Sequence, residues 1–299
     1  MAASELPLQQ YLRQYIAERL DLSPGWIEQI EIAIRLYSRF LGRQALVSDL
    51  TKLPLLGFVR SVAERTSART ANNRRCGLLV LWNSAADSGL IPPPPRRLPK
   101  CREPERMPIA WTLDELNRIL AACEAERGVW DGMKVSDAWR VAITVCWDTA
   151  CRRGELLAAL LTDVDLGRGQ WHVEAENRKG KRADKLYVLH PDTVALIRAT
   201  WTERGKLFPY PFGAAQAPRH LGRIIKRAGL PVNGKRKFHC LRKTAESHAA
   251  AKMGIEWAAR CVGHSPEVAR KFYISPMVCR APALIEALPR PMAVRLRVI

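Results

Sequence analysis

The chain has 299 residues, room for two domains, with an ordinary apolar share of 47% and no apolar run long enough to span a membrane. Its formal charge of +19 is unevenly spread: residues 1–92 hold 11 basic and 8 acidic side chains, residues 93–299 hold 37 and 21, and residues 201–250 alone hold 11 and 2. Such asymmetry points to a polyanionic partner, with a merely solvated basic surface as the plain alternative; no basic amphipathic helix with an exposed aromatic face argues for a membrane surface. The eight cysteines form no C-x-x-C pair, and several sit among apolar neighbours, as in Val145-Cys146-Trp147. That fits reduced, buried thiols in a cytosolic compartment and gives a metal such as zinc no paired ligand spacing. Met1 to Gln10 lacks a basic start followed by an apolar core, so no secretory leader is expected and the reading is a soluble intracellular protein.

The first ninety residues read as a compact bundle of helices. Leu8, Tyr11, Leu12, Tyr15 and Ile16 fall on one helical face between Leu8 and Leu20. Ser23-Pro24 is a cap followed by a proline at the first helical position, and it opens a helix carrying Trp26, Ile30, Ile34, Tyr37 and Leu41. A third helix is expected within Leu50 to Glu64, and a fourth from Thr70 to Ser88, stopping at Gly89. Four consecutive prolines, Pro92 to Pro95, then forbid a helix and favour an extended spacer. The expected domains are therefore residues 1–91, a proline-rich linker at 92–109, and residues 110–299. Arg96 and Arg97 in the spacer are candidates for a phosphate backbone.

The second domain opens on Thr112-Leu113-Asp114-Glu115, a capping box. Helices are expected from Asp137 to Ala150 and from Gly154 to Leu161. Residues 170–190 change character: Gln170 to Glu174 alternates and Lys185 to Leu189 is rich in strand formers, so they predict a β-hairpin with a basic tip at Asn177 to Asp184. Helical patterning then resumes, broken near Phe208 to Ala217 and at Pro231 to Gly234. The fold class expected is mainly α with a small β-hairpin or sheet.

Three segments carry chemistry-bearing side chains. Arg152 lies in Thr149-Ala150-Cys151-Arg152-Arg153-Gly154-Glu155-Leu156, with Glu155 three residues on and able to brace it. His239 and Arg242 are likewise three apart and face one way. His264 follows Gly263, and Tyr273 stands nine positions later. Each alone reads better as a salt bridge, a packed imidazole or a half-buried aromatic. Together, and with a lysine of the basic hairpin tip between them, they supply what phosphoryl transfer needs. Guanidinium forks match nonbridging oxygens, tyrosine offers an oxygen nucleophile, histidine accepts its proton and lysine protonates the departing oxygen.

The second domain resembles the catalytic domain of the tyrosine recombinase (phage integrase) family. The Arg152 segment resembles that family's first arginine box, His239-Cys240-Leu241-Arg242-Lys243-Thr244 its H-x-L-R segment, and Val262-Gly263-His264-Ser265 its L-G-H segment, with Tyr273 at the nucleophile position. The likeness runs over about residues 109–290. Asn73-Arg74-Arg75 through Gly89-Leu90-Ile91 resembles the family's SAM-like helical core-binding domain. Ala150 departs from the glycine usual there. By comparison with family hairpins, Ala175-Glu176-Asn177-Arg178-Lys179 favours Lys179 as the proton donor, with Lys181 as the alternative.

The resemblance implies that Tyr273 attacks a DNA phosphate to form a 3′-phosphotyrosyl bond, which a 5′-hydroxyl from a partner strand then attacks. Bond energy is conserved, so no cofactor, ATP or metal is implied. Arg152, Arg242 and His264 would hold the phosphate and His239 would accept the proton. The implied partner is double-stranded DNA, clamped between the two domains by a homotetramer that is monomeric or weakly associated without it, in the bacterial cytoplasm at the nucleoid. Candidate DNA contacts are Arg74, Arg75, Arg96, Arg97, Lys181, Arg219, Arg223, Lys226, Arg227 and Lys243. The apolar tail Ala281 to Leu288 would dock on its own domain or on a neighbour. Two other readings stay open: a type IB topoisomerase-like relaxase, and a catalytically inactive, sequence-specific DNA-binding protein.

Overall fold

The computed structural model describes residues 5–178, 180, 183–203, 205–232 and 237–279. The chain divides into two compact units, Met1–Glu105 and Arg106–Ile299. No described helix is long and apolar enough to cross a membrane.

The first unit holds α1 (Leu8–Ala17), α2 (Pro24–Leu41), α3 (Lys52–Arg65) and α4 (Ala68–Asp87). Local chemistry sets the ends of α2: the Ser23 hydroxyl accepts the Trp26 N–H at 3.3 Å, Pro24 supplies a preset φ, and Gly42 stops the helix at φ 71°. Its buried stripe of Ile30, Ala33, Ile34 and Tyr37 meets Leu78, Leu81 and Ala85 of α4 in one core. Each large apolar side chain buried there contributes about 1.5–3 kcal/mol. The Tyr11 hydroxyl donates to Ser84 Oγ at 2.9 Å and fixes α1 to α4.

The proline-rich stretch is not a free spacer. It belongs to the first unit and is tied along α4. Trp82 Nε1 donates to the Pro92 carbonyl at 2.8 Å, Arg75 Nη2 to the Leu98 carbonyl at 2.5 Å, and Asn72 Nδ2 to the Cys101 carbonyl at 2.9 Å. Leu98 is buried in the same core. The division between units thus falls at Glu105/Arg106, within the expected linker of residues 92–109 but near its far end.

The second unit contains α5 (Leu113–Ala122), a short hairpin β1 (Val129–Trp130) and β2 (Met133–Lys134), α6 (Val135–Thr149), α7 (Arg153–Ala158), strands β3 (Val164–Asp165), β4 (Gln170–Val173) and β5 (Lys185–Val188), then α8 (Pro191–Ala199), α9 (Ala217–Arg227), α10 (Phe238–Met253), α11 (Ile255–Val262) and α12 (Pro266–Phe272). The Thr112 hydroxyl and Glu115 carboxylate form the expected capping box on α5. Helix α6 is buried almost all round, through Trp139, Val141, Ala142, Ile143, Val145 and Cys146, so it forms the axis of this core. Strands β3, β4 and β5 make one antiparallel sheet in that order. Trp171 faces Tyr187 across β4 and β5, and Val173 faces Lys185. Strand alternation therefore puts Lys185 and Tyr187 on one face of the sheet.

Candidate active site

Helices α10, α11 and α12 meet at Tyr273, beside the corner where α6 passes into α7. Helix α6 closes on Ala150, which takes the left-handed conformation at φ 47° and turns the chain so that Arg152 caps α7. Glu155, only 1% exposed, locks this corner: it accepts the Arg152 N–H at 2.7 Å, an Arg152 guanidinium N–H at 3.2 Å and the Tyr187 hydroxyl at 3.0 Å. The Arg178 Nε also lies 3.8 Å away. The side chain of Arg152 stays 34% exposed, open to a ligand.

Arg242 projects from α10 and is buried. Its guanidinium donates to the Ala150 carbonyl at 2.5 Å and the Val262 carbonyl at 3.4 Å. These carbonyls close α6 and α11, the negative ends of two helix dipoles, which is why a buried cation is tolerated here. Its Nε, also buried, has no hydrogen-bond partner among the described residues.

Gly263, at φ 87°, ends α11 and lets the chain turn into His264. Ser265 and Pro266 then start α12, which delivers Tyr273 at its end. Ser247 of α10 secures that end, donating to the Tyr273 carbonyl at 3.1 Å and accepting the Ser275 N–H at 2.9 Å. The Tyr273 ring stacks on His264, centroids 4.6 Å apart, and meets His239 edge-on at 5.2 Å. The Arg242 Cζ lies 5.4 Å from the same ring. Five expected residues are thus gathered: Arg152 on the shared Arg242–Ala150 corner, and His239, Arg242, His264 and Tyr273 in direct contact.

Lys179 and Lys181 lie outside the described residues, as does the Ala281 to Leu288 tail. Lys185, not anticipated from sequence, enters the cluster instead. Its ammonium donates to the Cys261 carbonyl at 2.6 Å, in the last turn of α11, and sits 4.5 Å from the Tyr187 ring centroid. Burial, reinforced by Arg242, Arg178 and Arg152, lowers its pKa to about 8. A signal was present: two-residue alternation puts Lys185 on the face of Tyr187, whose hydroxyl reaches Glu155. Glu246, also unanticipated, sits one turn beyond Arg242, wholly buried, with His264 Nε2 3.1 Å from each of its carboxyl oxygens.

The basic residues proposed for DNA differ in how they stand. Arg96, Arg97, Arg219, Arg223 and Lys226 are exposed, and Lys243 is half-buried on α10. Arg74 donates to the Gln29 carbonyl and side chain, and Arg75 to Leu98, inside the first unit. Arg227 is exposed but donates to Glu126 at 2.7 Å and to the Ala122 carbonyl. Part of the hydrogen-bonding capacity of these three is already committed within the fold.

No family profile matches the sequence. No curated protein matches it either. Solved structures do match its fold. A lambda integrase tetramer bound to a Holliday junction superposes with a TM-score of 0.68 at 18% identity, over 87% of this chain and 75% of that one. The Tn1549 transposon integrase in complex with transposon right end DNA gives 0.68 at 14% identity, over 94% of this chain and 97% of that one. XerH site-specific recombinase, bound to its difH substrate, gives 0.64 at 17% identity over 87% of this chain and 78% of that one. By architecture, then, the chain has the tyrosine recombinase fold.

Proposed function

We propose that this chain cuts and rejoins duplex DNA at specific sites through a covalent phosphotyrosyl intermediate. The observation that carries this reading is the Tyr273 ring in contact with two imidazoles and a guanidinium, beside the Arg152 corner. Such a cluster suits a phosphate whose charge grows in the transition state.

In the first step the Tyr273 oxygen bonds to phosphorus and the bond from phosphorus to the 5′-oxygen breaks. The phenolic proton passes to His239. Arg152 and Arg242 hold the nonbridging oxygens, with His264 as a further donor. The departing 5′-oxygen takes a proton from Lys185, whose lowered pKa makes it a better acid than an ordinary ammonium. In the second step a 5′-hydroxyl, giving its proton to the now neutral Lys185, bonds to phosphorus as the bond from phosphorus to Tyr273 breaks, and the Tyr273 oxygen recovers its proton from His239. One phosphate ester replaces another at each step, so no external energy source enters. Assembly as a tetramer on paired sites is supported by the lambda integrase tetramer on a Holliday junction.

The test is a suicide duplex on a denaturing gel. The wild-type chain should become covalently attached to DNA, and Tyr273→Phe should still bind DNA without attaching. Arg152→Ala or Arg242→Ala should lose about 3 kcal/mol of transition-state stabilisation. DNA binding with no wild-type adduct would reduce the chain to a binding protein. Relaxation of a supercoiled plasmid without exchange between two sites would make it a relaxase.

A further inference from the structure

Within the second unit, Glu246 is a charge-capable group that the proposed chemistry does not use. It is 0% exposed, and its only hydrogen bond among the described residues is to His264 Nε2; the Oε1 atom, though equally near, is buried without a hydrogen-bond partner. The other ring nitrogen, Nδ1, faces the Ser265 carbonyl at 3.3 Å. A carbonyl only accepts, so Nδ1 carries a hydrogen. Nε2 and the carboxyl then have one proton between them. Held on oxygen, it gives a neutral acid donating to a neutral imidazole; held on nitrogen, it gives an ion pair. In both forms Nδ1 keeps its N–H.

Loss of that one proton changes the outcome. A carboxylate facing a bare Nε2 is repulsive in a buried site, so the remaining ring hydrogen moves to Nε2. Nδ1 is left as a lone pair, unable to donate to a phosphate oxygen, and a negative charge now stands behind the ring.

We propose that Glu246 is a positioning residue for DNA cutting, sharing one proton with His264 so that the ring beside Tyr273 keeps its Nδ1–H, which rests on the Ser265 carbonyl without DNA and turns to a phosphate oxygen when DNA is bound. This rests on the strand-cutting reading given above. Burial supports it by raising the Glu246 carboxyl to about 7, against the pull of Arg242 and Lys243. Burial and the charges of Arg242, Arg152 and Lys185 hold His264 below its usual range, while the Ser265 carbonyl pulls the other way. The ionisable groups facing the pair are Arg242, Lys243 and His239 on α10, Arg152 at the head of α7, Lys185 on β5 and Tyr273 after α12. Of these Lys185 also titrates near 8, so the experiment must silence it.

Glu246→Gln imitates the protonated acid. Its amide donates to Nε2, and the Ser265 carbonyl still demands the Nδ1 hydrogen. Two measurements on the full chain test the idea. In histidine-labelled protein without DNA, nitrogen NMR should show the His264 hydrogen moving from Nδ1 to Nε2 as pH rises through neutrality in wild type, and staying on Nδ1 in Glu246→Gln. In single-turnover cutting of a duplex with a 5′-bridging sulfur, which departs without protonation, the ratio of wild-type to Glu246→Gln rate should fall about tenfold per pH unit above the midpoint. Parallel pH profiles, or a His264 tautomer indifferent to Glu246, overturn the inference. A wild-type chain that never attaches to DNA while His264 follows Glu246 overturns the cutting reading instead.

Discussion

Glu155→Gln tests whether one buried carboxylate organises the Arg152 corner. The side chain keeps its shape, and its oxygen can still accept the Arg152 N–H and the Tyr187 hydroxyl, now at 2.7 and 3.0 Å from a charged acceptor. Hydrogen bonds to a charged group are worth about twice those to a neutral one, so each of the two weakens by about 1 kcal/mol. The ion pair with Arg152 also goes, but that guanidinium is 34% exposed, and water screening limits its worth to roughly 0.5 kcal/mol. The expected loss is about 2.5 kcal/mol, or ~5–10 °C in melting temperature for a unit of this size. Urea titration and calorimetry of the full chain measure it, with Tyr187→Phe expected to cost about half as much. A change below about 0.5 kcal/mol, the scatter of ordinary surface substitutions, would mean that Glu155 is not the keystone of this corner.

Lys185→Ala should slow cutting of an ordinary phosphodiester by roughly 10²–10⁴, and a 5′-bridging sulfur should restore it; rescue of Lys179→Ala or Lys181→Ala instead would return the role to the hairpin tip. The wild-type rate on the ordinary substrate should fall as pH rises through about 8, where the ammonium is lost. For stability the sign is opposite. Its folded pKa of about 8 lies below the usual 10.5, so the unfolded chain binds more protons between those values and stability should rise with pH across that window in a wild-type minus Lys185→Met comparison. Gly263→Ala should cost about 1 kcal/mol, because φ is 87° there while a new methyl would meet only the Lys185 ammonium at an ordinary 3.9 Å; a neutral result by calorimetry would contradict the backbone argument.

Locally encoded features were legible in the sequence. The caps of α2 and α5, the apolar stripe of α1 and the hairpin of β4 and β5 depend on residues within a few positions of one another. The β1–β2 hairpin is not legible although Asp131-Gly132, with φ values of 48° and 79°, carries the usual turn signal, because its two-residue strands are too short for alternation to register. Composition alone makes the proline run a spacer, because it does not reveal the long-range bonds from Asn72, Arg75 and Trp82. In the site, motif spacing identified the residues that meet Tyr273. Lys185 and Glu246 escaped because their partners, Cys261 and His264, lie on elements far away in sequence, and only the packing of α10, α11 and β5 brings them together.

If the proposed strand cutting holds, Ser247 bears on which molecule cuts which strand. Its hydroxyl grips the chain on both sides of Ile274, and Ile274 and Ser275 are themselves buried against α10 to α12. Lending the phenol to a sister subunit would require undoing that grip and exposing those residues to water. Cutting in cis, by the same polypeptide whose guanidiniums hold the phosphate, is the cheaper arrangement, and exchange between subunits would then have to use chain beyond this anchor.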